Sequence, residues 1–277
     1  MNYEKKQLTI EQIQAVSLEI LKIIADICEQ QKLRYFLIYG TLIGAVRHKG
    51  YIPWDDDVDI MMPRPDYDKL LEYLYKNIDK YSNLEVFNHD VNDLYPYMIT
   101  RISDKRYEIK MDNEKSYGMG VFIDIYPFDG LGNDEKEALK YGLNGDRLSS
   151  ICYQATREHF AMETTTSIVR KIIKYPFYLV SKIIGKDIIQ DKLERLARVK
   201  PYDENAYVGC VVWLSGGMRD IFKKEWFDEY IMVSYEKYQF RIPREYDKIL
   251  SHVYGDYMKL PPEKDRVGHH NYKVYKK

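Results

Sequence analysis

Four aspartates fall within five positions, Asp55, Asp56, Asp57 and Asp59, in the stretch GTLIGAVRHKGYIPWDDDVDIMMPR (40–64). Charge this dense beside an apolar run needs either open solvent or a positive partner. On a strand, Asp57 and Asp59 share one face, with Val58 and Ile60 on the other. Two carboxylates that close cannot both stay ionised cheaply without a counterion. A hard divalent cation resolves the conflict. Mg²⁺ suits best, with Mn²⁺ as the substitute, where substrate phosphates complete the shell. A third carboxylate, Asp124, lies inside the apolar run MGVFIDIY (119–126). Three strand-borne aspartates can hold one or two ions for phosphoryl or nucleotidyl transfer.

A solvated turn or a helix cap is the commoner explanation of an acidic cluster. Calcium is a third reading, because Asp55, Asp57 and Asp59 mimic the first three places of an EF-hand loop. The sixth place is Ile60 where glycine belongs, and the twelfth is Asp66 rather than glutamate, so that reading fails. Upstream, Gly40 and Thr41 end one expected strand and open an expected helix. Such a corner offers backbone N–H groups and a positive helix end to a phosphate. Arg47, His48, Lys49, Arg64, Arg101 and Lys105 add cations, with Arg47 and Arg101 the first candidates.

These residues need elements to hold them. Residues 9–29 carry Ile10, Ile13, Val16, Ile20, Ile24 and Ile27 at three- and four-residue steps, which predicts a helix. Thr9 and Gln12 have capping-box spacing. LRYFLIYG (33–40) predicts a strand, followed by a helical turn over 41–48. DVDIMM (57–62) predicts a second strand. Residues 66–78 predict a helix, and 119–126 another strand. From 133 to 200 the pattern is mainly helical. YVGCVVWL (207–214) predicts a strand, 230–242 a hairpin, and 244–257 a helix ending near Gly255. The order predicts an α+β fold with a helical insertion. The expected division is a catalytic core over 1–132, an insertion over 133–200, and a C-terminal part over 201–277 that completes the core and cleft.

The sequence resembles a known family in three blocks: YGTLIGAVRHKGYIPWDDDVDIMMPRPDYDKLL (39–71), GVFIDIYPFDG (120–130) and PREYDKILSHVYGDYMKLPPEKDRVGHH (243–270). It is similar to the LicD proteins, relatives of the fukutin-type transferases. The resemblance implies a nucleotidyltransferase-like mixed sheet flanked by helices. It also implies Mg²⁺-dependent transfer of phosphocholine from CDP-choline onto a sugar of a cell-surface glycan precursor, of teichoic acid or lipopolysaccharide type. By motif match, Asp57, Asp59 and Asp124 are the metal ligands and catalytic carboxylates, and Gly40 and Thr41 the nucleotide corner. Asp124 or Asp56 is the candidate base. Arg266, His269 and His270 are further cleft candidates. A choline donor carries a quaternary ammonium, which aromatic faces bind; Trp54, Tyr51, Tyr126 and Trp213 are candidate cage members. Another CDP-linked alcohol, such as ribitol or glycerol, and a non-catalytic nucleotide- or glycan-binding module are the alternatives.

A net charge of −1 gives no reason to expect nucleic acid as a partner. Cys28, Cys152 and Cys210 are an odd number without short spacing, so neither a disulfide framework nor a zinc site is expected. The polar opening MNYEKKQLTIEQ has no apolar signal region, and a cytoplasmic location follows as the expectation. One segment bears on the acceptor. SIVRKIIKYPFYLVSKIIGK (167–186) mixes large apolar residues with Arg170, Lys171, Lys174, Lys182 and Lys186 and has no acidic residue. Such a segment suits a peripheral contact with the inner face of a membrane carrying a lipid-linked acceptor. Pro176 is expected to break or kink it.

Overall fold

The first helix, α1 (Ile10–Gln31), begins where the capping signal lies. The Thr9 hydroxyl accepts from the Gln12 N–H, and the Gln12 side chain accepts from the Thr9 N–H. The structure is a computed structural model, and it describes residues 6–92, 95–111, 115–160, 168–213, 217–268 and 272–277. After α1 comes β1 (Phe36–Leu37), much shorter than the strand predicted over 33–40. The cause is Tyr39, whose φ of 50° turns the chain directly into α2 (Tyr39–Ile43). That helix continues as a π-helical turn, Gly44–His48.

Next come β2 (Asp59–Pro63) and α3 (Arg64–Asn77). Pro65 sits in the first turn of α3, where its missing N–H costs nothing. Three strands the sequence reading missed follow: β3 (Leu84–Phe87), β4 (Thr100–Asp104) and β5 (Tyr107–Met111). The strand predicted over 119–126 extends to twelve residues as β6 (Val121–Gly132), buried throughout. The helical stretch resolves into α4 (Glu135–Thr156), α5 (Ile168–Ile184) and α6 (Lys186–Arg198). Pro176 does not break α5, which continues through it.

The strand predicted over 207–214 stops early as β7 (Tyr207–Gly209), and its apolar residues Val211 and Val212 are buried in a 3₁₀ turn instead. Residues 214–216, which include the last residue of the predicted strand, lie outside the described residues. Then come β8 (Phe222–Lys223), the predicted hairpin as β9 (Tyr230–Tyr235) and β10 (Tyr238–Pro243), and α7 (Tyr246–Tyr254). Gly255 ends α7 at a φ of 68°. Last is β11 (Tyr272–Lys276), antiparallel to β5.

The central sheet runs β1-β2-β6-β4-β3, and β7 and β8 extend it from the far half of β6. Only β2 and β6 are parallel; the other pairs are antiparallel. A mixed sheet with helices packed on it is an α+β arrangement, as the element order predicted. One register matters for chemistry. Asp59 pairs with Asp124 across β2 and β6, and Arg101 of β4 pairs with Asp124 from the other side.

Candidate active site

Asp59 is the first residue of β2, so Asp57 precedes the strand rather than sharing its face. The aspartate run bends at this point, with the Asp55 N–H donating to the Ile52 carbonyl at 2.9 Å. Asp57 still faces Asp59 closely enough for their charges to interact. The Gly40–Thr41 corner seats the run. The Thr41 hydroxyl accepts from the Asp59 N–H at 2.8 Å, and the Asp59 carbonyl accepts from Ile38 at 3.1 Å. A Cβ on Gly40 would lie 2.8 Å from Asp55 Oδ2, so only glycine lets that carboxylate approach without displacement.

Asp59 is 7% exposed, and its Oδ1 has no hydrogen-bond partner. Burial raises its carboxyl well above the ordinary carboxylate range. The charges of Asp57, Asp124 and Asp55 push it further, and a hydrogen bond with Tyr126 opposes them. A buried carboxylate with an orphaned oxygen and three acidic neighbours is a donor set that a hard divalent cation suits. The fit to Mg²⁺ or Mn²⁺ is therefore good at Asp57 and Asp59. Among the described residues no three His, Cys, Asp or Glu side chains form a ready-made ion cage. Such a donor pair suits an ion that draws its remaining ligands from water and donor phosphates.

Asp124 is compensated differently. Arg101 Nε donates to Asp124 Oδ1 at 2.7 Å. The guanidinium lies 4.3 Å from the Tyr97 ring centre and 4.2 Å from that of Phe122. Burial acts to lower the Arg101 pKa, but Asp124, with Tyr95 and Tyr126, raises it overall and the side chain stays charged. Arg101 thus reaches the site as the partner of Asp124. Arg64, another cation candidate, is held in a buried bidentate pair with Asp129, both contacts at 2.7 Å.

Other candidates are spread around this centre. Arg47 donates to the Tyr257 carbonyl at 2.6 Å and to His48 at 2.9 Å, tying the signature to the segment after α7. Burial lowers the His48 pKa, and the adjoining Arg47 lowers it further. Arg266 lies over the Trp54 ring at 5.7 Å, so two predicted contacts meet. Tyr51 is buried against Tyr235 and bonds Ser17, which makes it part of the core. Lys49 and Lys105 are exposed. Lys105 borders a separate cavity of about 750 Å³ beside β3, and none of the site aspartates lines that cavity. His269 and His270 lie outside the described residues.

A cavity of about 300 Å³ opens directly on Asp59. Tyr39, Tyr126, Trp213, Asp220 and Tyr254 also line it, and the exposed Arg219 stands at its edge. Of these, only Tyr126 and Trp213 were singled out from sequence. Tyr39 adjoins the Gly-Thr corner, and Tyr254 lies in the last signature block, so both carried a positional signal. Asp220 carried none. Tyr272 was also missed. Burial raises its hydroxyl, and then the charges of Asp56 and Asp57, which places β11 beside the aspartates.

Comparison with known proteins adds to this geometry. The family described as LicD/FKTN/FKRP, nucleotidyltransferase domain, matches residues 32–177, which include Gly40, Thr41, all the aspartates of the run and Asp124. The lipopolysaccharide cholinephosphotransferase LicD of Haemophilus influenzae is 32% identical over 273 residues, covering 98% of this chain and 99% of that protein. The chain belongs to the LicD family. Two uncharacterised rickettsial proteins match shorter stretches. One from Rickettsia typhi is 31% identical over 46% of this chain and 47% of its own length. One from Rickettsia prowazekii is 30% identical over 42% and 51%. In this LicD-family chain the matched region ends within α5, so β7, Asp220 and α7 lie beyond it, and the relative from H. influenzae extends over them.

Proposed function

We propose that this LicD-family protein transfers phosphocholine from CDP-choline onto a sugar hydroxyl of a lipopolysaccharide-type glycan, with Mg²⁺, and that its mixed sheet works as a nucleotidyltransferase core. The observation that carries the reading is Asp59: buried, with an orphaned oxygen, among three other carboxylates. The near full-length similarity to a cholinephosphotransferase supports the choice of moiety. Asp57 and Asp59 hold the ion. When bound, Mg²⁺ neutralises charge on the donor's phosphates and on the departing CMP. Thr41 fixes the Asp59 backbone, and Arg101 fixes Asp124, so the carboxylates keep their places as charge moves. With Asp124 bound to Arg101, Asp56 is the better acceptor for the sugar hydroxyl's proton. The test is CMP release by purified protein given Mg²⁺, a lipopolysaccharide acceptor and either CDP-choline, CDP-ribitol or CDP-glycerol. The reading expects CDP-choline to be consumed fastest; release from ribitol or glycerol donors alone would replace the moiety.

We further propose that α5 lies against an anionic membrane surface that presents the acceptor. No helix among the described residues is long and apolar enough to cross a membrane. Yet Val169, Ile172, Ile173, Phe177, Val180 and Ile183 of α5 are all exposed, Ile183 to 85%. Lys171 and Lys174 lie on the same helix, and each basic residue near an anionic surface contributes about 1 kcal/mol. Lys182 donates to the Ala155 carbonyl at 2.9 Å and takes no part. Flotation with anionic vesicles should carry the protein, and K171E/K174E should stay in the load; an unmutated protein that stays behind ends the idea.

A further inference from the structure

The cavity beside Asp59 has a composition that a metal and a nucleotide do not account for. Three tyrosines and a tryptophan line it, Tyr39, Tyr126, Trp213 and Tyr254, together with Val253, the exposed Arg219 and the buried carboxylate of Asp220. The Tyr39 and Tyr126 rings meet edge to face at 5.4 Å, and Trp213 packs against Tyr97 at 5.6 Å, so these walls are fixed. Aromatic rings are apolar with electron-rich faces, and Asp220 brings a carboxylate to the same wall. Burial raises the Tyr39 hydroxyl, and the carboxylate of Asp220 is the largest charge acting on it. Both the Tyr39 hydroxyl and Asp59 Oδ1 are buried without hydrogen-bond partners, and Asp59 is more than nine-tenths buried.

A neutral polyol such as ribitol carries no charge for the carboxylates of Asp59 and Asp220 to attract, and it gains nothing from the ring faces. An anion would meet the buried Asp59 and Asp220, with the exposed Arg219 alone among the lining residues to attract it. A primary ammonium would seek three acceptors. A quaternary ammonium has no donors, spreads its charge over methyl groups, and is attracted to ring faces and to a nearby carboxylate. At about 300 Å³ the space is at the small end of ligand pockets, so it takes one end of a donor rather than all of it. Its opening on Asp59 places that end beside the proposed phosphate-binding ion.

We infer that Tyr39, Tyr126, Trp213 and Tyr254, with Asp220, form a quaternary-ammonium subsite that selects choline among CDP-linked alcohols. The inference rests on the transferase reading for its biological role, but the binding it describes can be measured without turnover. Tetramethylammonium chloride is the probe, titrated by calorimetry into the full-length protein. Its uncharged counterpart, tert-butanol, is titrated in parallel. Tetramethylammonium should bind at least about tenfold more tightly than tert-butanol, and W213L and Y254L should each weaken it several-fold to about thirtyfold. Tyr254 is 44% exposed, so Y254L should keep the fold, checked by circular dichroism. Y230L, in an exposed aromatic of β9 outside the cavity, should bind as the unmutated protein does. Tetramethylammonium binding equal to tert-butanol binding, or unaffected by folded Y254L, overturns the subsite. CMP release from CDP-choline together with either of those results leaves the transferase standing and removes the cage. Binding as expected without CMP release keeps the cage and removes the transferase.

Discussion

Two buried aspartates, on the adjacent strands β2 and β6, face opposite circumstances. Asp129, late in β6, is 1% exposed and held by both nitrogens of a bidentate Arg64. Asp59, at the start of β2, is 7% exposed and has one oxygen with no partner. Burial raises both carboxyls. For Asp129 the next largest influence is Arg64, which pulls the pKa back. For Asp59 the next three are Asp57, Asp124 and Asp55, which push it further up. One site is electrostatically closed by the chain itself. The other is left open, and a buried carboxyl in that position takes up either a proton or a cation. Asp124 stands between the two cases: it shares β6 with Asp129, has its own arginine, and faces Asp59.

The comparison makes separable predictions. The largest effect should come from the open site. D57A and D59A should lower turnover about a thousandfold or more, because several kcal/mol of transition-state charge stabilisation is lost. Both should remain folded by circular dichroism; near-normal CMP release by either would remove the assignment. At the closed site the cost should be structural. D129A leaves the Arg64 charge buried and should destabilise by about 3–5 kcal/mol in urea unfolding, whereas the R64M/D129L pair should recover most of that loss. Equal stability of D129A and the parent would show that the pair is not the closed site described. G40A should have a smaller effect: displacing Asp55 should lower turnover more than stability, with about 1 kcal/mol lost in unfolding.

The pH dependence is the subtlest contrast. With divalent ions chelated, folded Asp59 binds its proton more tightly than the unfolded chain does. Stability therefore falls as pH rises from the ordinary aspartate value toward the raised one. D59N removes that loss. Its advantage over the parent should be absent near pH 4 and should grow as pH rises toward neutrality. An advantage that is constant across this range would mean Asp59 does not carry the strain.

Much of this was legible in the sequence, and what was not has physical causes. The helix α1 announced itself through a cap and a stripe. The hairpin β9–β10 and the Gly255 stop were equally local signals. The aspartates were legible because charge inside apolar runs is rare. The strand β4 was missed because TRISD reads as a surface segment; Arg101 is buried with Asp124, twenty-three residues away, as its partner, while Asp104 is paired locally by Arg106. Arg64 and Arg101 looked like free cations for the same reason. Sequence displays a charge but not its partner. The cavity behind Asp59 was half seen, since Tyr39, Asp220 and Tyr254 come together only through the packing of α2, the 3₁₀ turn before β8, and α7.

The claim that Asp59 is left open for a cation has a direct test in thermal unfolding of the parent and D59N, each with CMP, in chelator or in saturating Mg²⁺. Binding to the folded state alone should raise the parent's Tm by several degrees on adding Mg²⁺. D59N should start higher in chelator and gain nothing from the ion. Equal Mg²⁺-dependent shifts in the two proteins would contradict the account.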